Sequence, residues 1–143
     1  YRRIQTRNFV PVNKSWSWNR RDVSLRIPAG SDSAKRIEHR VASADANPYL
    51  VLACILSGLH HGLTKKLSPT DQVSFDNTEG ADKTADPEMP KNMESALNRF
   101  QESKILSKYL GKEYLDLYVS AKEGEFEHMD NSFIPSEEYD FYL

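Results

Sequence analysis

The sequence predicts an α+β fold in which antiparallel strands are followed by a buried helix and a helical C-terminal part. Apolar and polar residues alternate at 23–27 and again at 35–41, as they do in strands with one covered face. An apolar run of helical length follows at 49–63, and apolar residues farther along the chain recur at spacings of three and four. The 143 residues suit a single domain.

Within that domain we expect three consecutive parts. Residues 1–67 would form the strand segment and the buried helix of the core. Residues 68–90 are rich in Asp, Thr, Ser and Pro and poor in apolar side chains, so we expect a loop there. Residues 91–143 would form the helical C-terminal part.

The predicted strands follow from side-chain parity. Val23, Leu25 and Ile27 would share one face of the first strand, which Pro-Ala-Gly ends. Trp16 and Trp18 also alternate, and we expect both to pack on one face of a strand.

The predicted core helix begins at Asn47, a good N-cap, with proline at the first helical position. The run is apolar almost all round as far as Leu59, which is typical of a helix buried inside a larger body. His60 and His61 end it, and neighbouring positions on a helix diverge by about 100°, so we interpret both as structural.

Two helices are predicted in the C-terminal part. Asn92 can cap a helix that places Met93, Leu97 and Phe100 on one face. A second helix is predicted at 113–129, and a short amphipathic end at 136–143 should pack its aromatic side chains.

Charge is concentrated at one end of the chain. Residues 1–43 carry ten basic and three acidic side chains, a net charge of +7, and the remainder carries −9. Eight of the nine arginines lie in this first segment, which is where anions would bind.

The most informative charged group is Arg36, Glu38 and Arg40, which would share one strand face at steps of about 6.6 Å. Two readings remain open: an exposed ladder of ion pairs, or an anion site beside a carboxylate that binds a hard cation. One carboxylate cannot hold Mg²⁺ or Mn²⁺ alone, so further ligands would come from outside this chain. Arg21 and Arg26 bracket the first strand and suit bidentate binding of phosphate or carboxylate, although Arg20-Arg21 can equally be a charged turn.

Several classes of protein are disfavoured. The first residues do not show a basic segment followed by an apolar core, and the longest apolar stretch is shorter than the roughly 18 residues of a membrane span. The single cysteine, Cys54, cannot form an internal disulfide. We therefore expect a cytoplasmic protein without membrane contact. The chain opens on Tyr1 inside a sequence pattern, so we expect a fragment.

Several motifs along the chain resemble those of the glutamine synthetase family. The string A-K-R-I-E-H-R-V-A-S-A-D-A-N-P-Y-L at 34–50 is similar to R-I-E-x-R…D-x-A-A-N-P-Y-L of that family. Upstream, Y-R-R at 1–3, P-V-N at 11–13 and N-R-R-D-V-S-L-R-I-P at 19–28 resemble Y-K-R, A-P-V-N and R-N-R-S-x-x-x-R-I-P, in the same order. The resemblance covers essentially all of the chain and is weaker beyond residue 67.

The resemblance implies an activity and a set of roles. ATP would phosphorylate the side-chain carboxylate of glutamate, and a nitrogen nucleophile would displace phosphate from the γ-glutamyl phosphate. By motif position, Arg3 and Arg40 would hold glutamate, and Arg21 would meet the transferred phosphoryl group as a catalytic residue. The same positions imply that Arg21, Arg26 and Arg36 contact the nucleotide, and that Glu38 is one ligand of Mg²⁺ or Mn²⁺.

A departure from the family pattern points to the acceptor. The ammonia-using enzymes carry V-P-G-x-E-A-P in a flap whose glutamate handles the ammonium proton, whereas Q-T-R-N-F-V-P puts Phe9 at that place. A phenyl ring cannot take a proton but can line a site for an alkyl amine. With L-H-H-G-L after the long motif, the chain looks more like the γ-glutamylputrescine synthetase branch of the family.

We therefore expect the C-terminal part of an ATP-dependent γ-glutamyl-amine ligase, a carbon–nitrogen ligase of nitrogen and polyamine metabolism that forms a ring-shaped homo-oligomer. The isolated chain should be inactive, because the remaining metal ligands of the family lie upstream. Glutamine synthetase using ammonia is the first alternative, and a non-catalytic relative acting in assembly or regulation is the second. The third is a nucleic-acid-binding module, from the basic charge among Tyr1, Phe9, Trp16 and Trp18, although we expect no nucleic acid.

Overall fold

The computed structural model describes residues 10–73 and 85–132, and the described residues have the predicted α+β composition. Three short strands come first: β1 (Trp16–Trp18), β2 (Leu25–Ile27) and β3 (Glu38–His39). A single 3₁₀ turn (Asp32–Ala34) lies between β2 and β3. Four helices follow in the described part of the chain: α1 (Pro48–Lys65), α2 (Met93–Glu102), α3 (Lys104–Leu110) and α4 (Lys112–Ser132). These residues divide between Ala96 and Leu97 into two compact units.

The strands form one sheet in the order β1-β2-β3. The predicted antiparallel pairing is found between β2 and β3, where Arg26 lies opposite Glu38. β1 and β2 run parallel instead. The connection between them covers residues 19–24, and within it Asn19 adopts a left-handed backbone conformation with φ of 59°.

The strands are shorter than the alternation of apolar and polar residues predicted. Val23 is fully buried whereas Leu25 is 41% exposed, so these two side chains do not share a face. Val23 and Ser24 precede β2 in the connecting loop, where Ser24 Oγ donates to the carbonyl of Asn13 rather than following strand alternation. The strand predicted at 35–41 is reduced to β3 because β2 offers only three residues to pair with.

The core of the first unit is formed by residues of β1 and of the segments before and after it. Pro11, Val12 and Val23 are fully buried there, and so is Ser17. The outer edge of β1 is bound by the segment after α1, since the Trp16 indole donates to the carbonyl of Thr70 at 2.7 Å and Val73 N–H donates to the carbonyl of Trp16. The predicted strand at the tryptophans is thus confirmed, although Trp18 is 45% exposed.

Helix α1 begins as predicted. The Asn47 side-chain oxygen accepts hydrogen bonds from the amides of Tyr49 and Leu50, at 3.0 and 3.3 Å. The helix continues two residues past the predicted end at 63 and stops at Lys66, which is left-handed with φ of 51°.

The predicted burial of α1 is not seen in the described residues. Its buried residue is Ser57, while large apolar side chains along it are exposed: Tyr49, Leu52, Leu56, Leu59 and Leu63. A helix is buried only where another layer covers it, and no helix or strand in the described ranges packs against α1.

The C-terminal helices form the second described part. Asn92 caps α2 as predicted, through reciprocal hydrogen bonds in which Ser95 N–H donates to Asn92 Oδ1 at 2.9 Å and Asn92 N–H donates to Ser95 Oγ. Helix α3 was not predicted. It starts at Ser103, whose hydroxyl accepts from Leu106 N–H, and it ends at Gly111, whose φ is +88°.

The second unit has a small core on α4. Leu115 is fully buried and Val119 is 3% exposed, with Leu97 beside the unit boundary at 7%. The Phe100 and Tyr118 rings lie 5.0 Å apart. None of the described helices is both long and apolar enough to cross a membrane. The end predicted at 136–143 lies outside the described residues, as does the middle of the loop predicted at 68–90.

Candidate functional site

The sheet brings three arginines together around a single carboxylate. We call Arg26, Arg36, Glu38 and Arg40 the Glu38 cluster. Arg26 on β2 lies directly opposite Glu38 on β3, and its Nη1 donates to Glu38 Oε2 at 2.9 Å. Arg26 Nη2 donates to Asn19 Oδ1 at 3.1 Å, which ties the cluster to the loop after β1.

The other two arginines approach Glu38 from the two sides of β3. Arg36 Nη2 lies 3.3 Å from Glu38 Oε1, and the Arg36 side chain is 58% exposed. Arg40 Nη1 lies 3.8 Å from Glu38 Oε2, and the Arg40 side chain is 20% exposed. Arg36 is therefore the member best placed to meet a ligand from solvent.

Electrostatics keeps Glu38 ionised. The hydrogen bond from Arg26 lowers the pKa of the Glu38 carboxyl, and the charges of Arg26 and Arg36 add to this effect. Arg26 Nε is buried and has no hydrogen-bond partner in the described structure. The four side chains carry a net positive charge, which suits the binding of phosphate or carboxylate groups.

Arg21 lies in the loop between β1 and β2 and joins the cluster through its backbone. Its carbonyl accepts a hydrogen bond from Arg40 Nε at 2.9 Å. Its guanidinium is exposed and makes no ion pair with any residue of the described ranges. The Arg21 side chain thus remains available to a ligand beside the Glu38 cluster.

A feature that sequence reasoning missed lies on either side of Arg21. Arg20 and Asp22 are 9% and 8% exposed and form a two-point ion pair. Arg20 Nε donates to Asp22 Oδ1 at 2.9 Å, and Arg20 Nη2 donates to Asp22 Oδ2. This hydrogen bonding lowers the pKa of the Asp22 carboxyl. The sequence signal was opposite charges two residues apart, which is also the pattern of a charged turn.

Two of the predicted site residues, Arg3 and Phe9, lie outside the described residues. No group of three or more His, Cys, Asp or Glu side chains within 10–73 and 85–132 comes together as a metal site. Glu38 can offer one carboxylate to a cation.

Burial raises the pKa of the Cys54 thiol, which therefore stays protonated at neutral pH.

Comparison with known proteins assigns the chain to a family. The sequence profile of the glutamine synthetase catalytic domain matches residues 1–142. γ-Glutamylputrescine synthetase PuuA of Escherichia coli K12 is 41% identical over 87% of this chain and 26% of its own length. Glutamate–isopropylamine ligase of a Pseudomonas species is 33% identical over all of this chain and 31% of its own length. A glutamine synthetase of Methanocaldococcus jannaschii is 32% identical over 89% of this chain and 29% of its own length.

The chain thus spans between about a quarter and a third of the length of these relatives. The profile match runs through β1, β2 and β3, so the Glu38 cluster and Arg21 lie within it. The predicted resemblance is confirmed, and the chain belongs to the glutamine synthetase family as part of its catalytic domain.

Proposed function

We propose that this chain is the C-terminal portion of an ATP-dependent γ-glutamyl-amine ligase, which joins glutamate to an amine such as putrescine through γ-glutamyl phosphate. The observation that carries the proposal is the convergence of three arginines on Glu38, with the exposed residue Arg21 linked to Arg40 through its carbonyl. In a chain that belongs to a ligase catalytic domain, these arginines would together bind several anionic groups.

Phosphoryl transfer needs this kind of positive surface. When the glutamate carboxylate attacks the γ-phosphorus of ATP, negative charge gathers on the transferred oxygens and on the departing ADP. Arg21 is the group we assign to the transferred phosphoryl, because its exposed guanidinium makes no ion pair within the described residues while its carbonyl accepts from Arg40. Arg26 and Arg36 would contact the nucleotide phosphates.

Arg40 is assigned to the glutamate substrate, together with Arg3. The Arg40 side chain is mostly buried and is fixed at Nε by the Arg21 carbonyl, so its outer nitrogens are held in one orientation. A fixed guanidinium suits bidentate binding of a substrate carboxylate. Its place beside Arg21 would bring glutamate next to the phosphoryl group that it accepts.

Glu38 would supply one ligand to a Mg²⁺ or Mn²⁺ ion. Its carboxylate is ionised and one-quarter exposed, which suits a hard cation. The ion would neutralise phosphate charge during transfer. The described residues contain no group of three or more His, Cys, Asp or Glu side chains that could hold a metal, so the other ligands would come from the rest of the protein.

The acceptor amine is inferred from sequence and relatives. Phe9 stands where the ammonia-using enzymes carry a glutamate, and an apolar ring suits the alkyl part of an amine. Two of the relatives are named for putrescine and isopropylamine. Ammonia is the second candidate acceptor, because other relatives at about one-third identity are named glutamine synthetase.

The complete protein is proposed to be a cytoplasmic ring of identical subunits, and the 143-residue chain alone to be inactive. Inactivity of the chain follows from the single carboxylate at the Glu38 cluster, since one ligand does not hold a catalytic ion. ATP turnover by the isolated chain would contradict this part of the proposal.

The acceptor can be tested with the complete protein that contains this chain. Glutamate, ATP and Mg²⁺ are supplied with putrescine, isopropylamine, ammonium or no amine, and phosphate release and the γ-glutamyl product are measured, the latter by mass spectrometry. We expect product with putrescine at a higher kcat/KM than with ammonium. Product with ammonium alone would favour glutamine synthetase, and absence of product and phosphate in every mixture would refute the ligase.

A further inference from the structure

We propose that Arg20 and Asp22 form a buried positioning pair that fixes both Arg21 and Arg40 for the reaction. This inference rests on the proposed function, because it assigns a purpose to the orientation of two arginines of that site. Neither Arg20 nor Asp22 would touch a substrate.

Buried and exposed side chains alternate in the loop between β1 and β2, as this role requires. Arg20 and Asp22 point inward and are less than one-tenth exposed, whereas Arg21 between them is exposed. Two hydrogen bonds join the guanidinium of Arg20 to the carboxylate of Asp22. A two-point bond fixes orientation as well as distance, so the backbone of Arg21 is held from both sides.

The same loop holds Arg40. The Arg21 carbonyl accepts from Arg40 Nε at 2.9 Å, and the Ser24 carbonyl accepts from the backbone amide of Arg40 at 3.0 Å. The charge of Arg40 also lowers the pKa of the Asp22 carboxyl, so Arg40 lies within electrostatic reach of the pair. A shift of residues 20–22 would therefore move Arg40 together with Arg21.

Stability alone does not explain a buried ion pair. The desolvation of two charges commonly cancels their attraction, and an apolar pair of similar volume is often as stable or more so. The family pattern R-N-R-S, set beside R-I-P, has uncharged Asn and Ser at the places of Arg20 and Asp22. The ion pair adds a directional link that those shorter side chains cannot make in the same way.

The test replaces the pair by Arg20→Met with Asp22→Leu in the complete protein. The two apolar side chains should keep the melting temperature within a few degrees of the wild type and loosen the loop. We expect kcat for phosphate release to fall about 10- to 100-fold, the scale of a small misplacement of a reacting group. KM for glutamate should rise because Arg40 is no longer held in position by the loop. KM for ATP should change little because Arg26 and Arg36 are held by β2 and β3.

A matched control makes the same change at a pair on α4 that is only partly buried, Lys122→Met with Glu125→Leu. Its kinetic constants should equal those of the wild type. A stable Arg20→Met/Asp22→Leu variant with wild-type kcat and wild-type KM for glutamate would overturn the proposal. A fall in kcat with KM for glutamate and KM for ATP both unchanged would also overturn it, since loss of folded protein lowers the apparent kcat without altering KM.

A second variant covers the case in which the double variant does not fold. Arg20→Lys keeps the charge but loses the two-point bond, and we expect it to reproduce the kinetic pattern with a smaller fall in kcat. Wild-type kinetics for a folded Arg20→Lys variant would contradict the positioning role.

One readout does not depend on activity and separates this inference from the proposed function. Hydrogen exchange measured by mass spectrometry should be faster at residues 19–24 and at Arg40 in the variant, with α1 unchanged. Unaltered exchange in the loop would refute the inference even if the ligase is confirmed. If the wild type makes no product with any amine, the ligase proposal fails. The exchange data would still decide whether the Arg20–Asp22 pair holds the loop and Arg40.

Discussion

Leu115 and Leu117 lie two residues apart on α4 and differ almost completely in burial. Leu115 is fully buried, and Leu117 is 69% exposed. Replacing each by alanine changes helix propensity equally, so any difference between the two variants reports the packing of the second unit.

The magnitude follows from the burial of Leu115. Leucine-to-alanine changes in a packed core cost about 2–5 kcal/mol, from lost transfer free energy and the cavity left behind. The core around Leu115 is small, with Val119 as its other buried side chain on α4, so we expect a value near the lower end, about 2–3 kcal/mol. A change of this size lowers the melting temperature of a domain of this length by about 5–10 °C. The exposed Leu117→Ala change should stay within about 0.5 kcal/mol.

The assay is thermal and urea denaturation of the 143-residue chain and both variants, followed by far-ultraviolet circular dichroism. We expect Leu115→Ala to melt well below the wild type and Leu117→Ala to melt with it. Equal shifts for the two variants, or a larger shift for Leu117→Ala, would refute the burial of Leu115 on which the second unit depends.

Two further predictions concern the first unit. The Arg20 guanidinium lowers the pKa of Asp22 in the folded state, so the stability that Asp22 contributes is present above its unfolded pKa and is lost as pH falls through the folded pKa. The free energy of unfolding is measured from pH 7 down through about pH 4 and below, and the wild type should lose stability as the pH falls. Asp22→Asn should be less stable than the wild type at pH 7 and should lose less stability in acid. Parallel pH profiles for the two proteins would contradict the lowered pKa of Asp22. Asn47→Ala removes the cap of α1 and should lower the free energy of unfolding by about 1 kcal/mol, while an unchanged value in urea denaturation would mean that the cap contributes nothing.

The parts of the fold governed by local chemistry were predictable from sequence. The start of α1 follows from Asn47 and Pro48, and the start of α2 follows from Asn92, because capping depends on residues within one turn. Helix α3 was missed because its seven residues are too few to show a periodic pattern. The exposure of α1 depends on which layers surround it, and local periodicity carries no such information.

In the candidate site, too, some contacts were predictable from local sequence and others were not. Strand parity placed Arg36, Glu38 and Arg40 on one face, and the structure places both arginines in contact with Glu38. The contact of Arg26 with Glu38 required the register of β2 against β3, which no local pattern fixes. The burial of Arg20 and Asp22 depends on how the loop between β1 and β2 packs, and a run of charged residues in the sequence does not indicate that packing.

The most direct test of the central claim is positional isotope exchange in ATP labelled at the β,γ-bridging oxygen. The complete protein is incubated with labelled ATP, Mg²⁺ and glutamate, without amine, and the label is located by nuclear magnetic resonance. If the arginines of residues 21–40 serve transfer of the γ-phosphoryl to glutamate, the wild type and an Arg99→Ala control should scramble the label only when glutamate is present. Arg21→Ala should slow the exchange about 100-fold or more, the scale for loss of one preorganised charge-stabilising group. Scrambling that is independent of glutamate, or equally fast in Arg21→Ala and the wild type, would contradict the account.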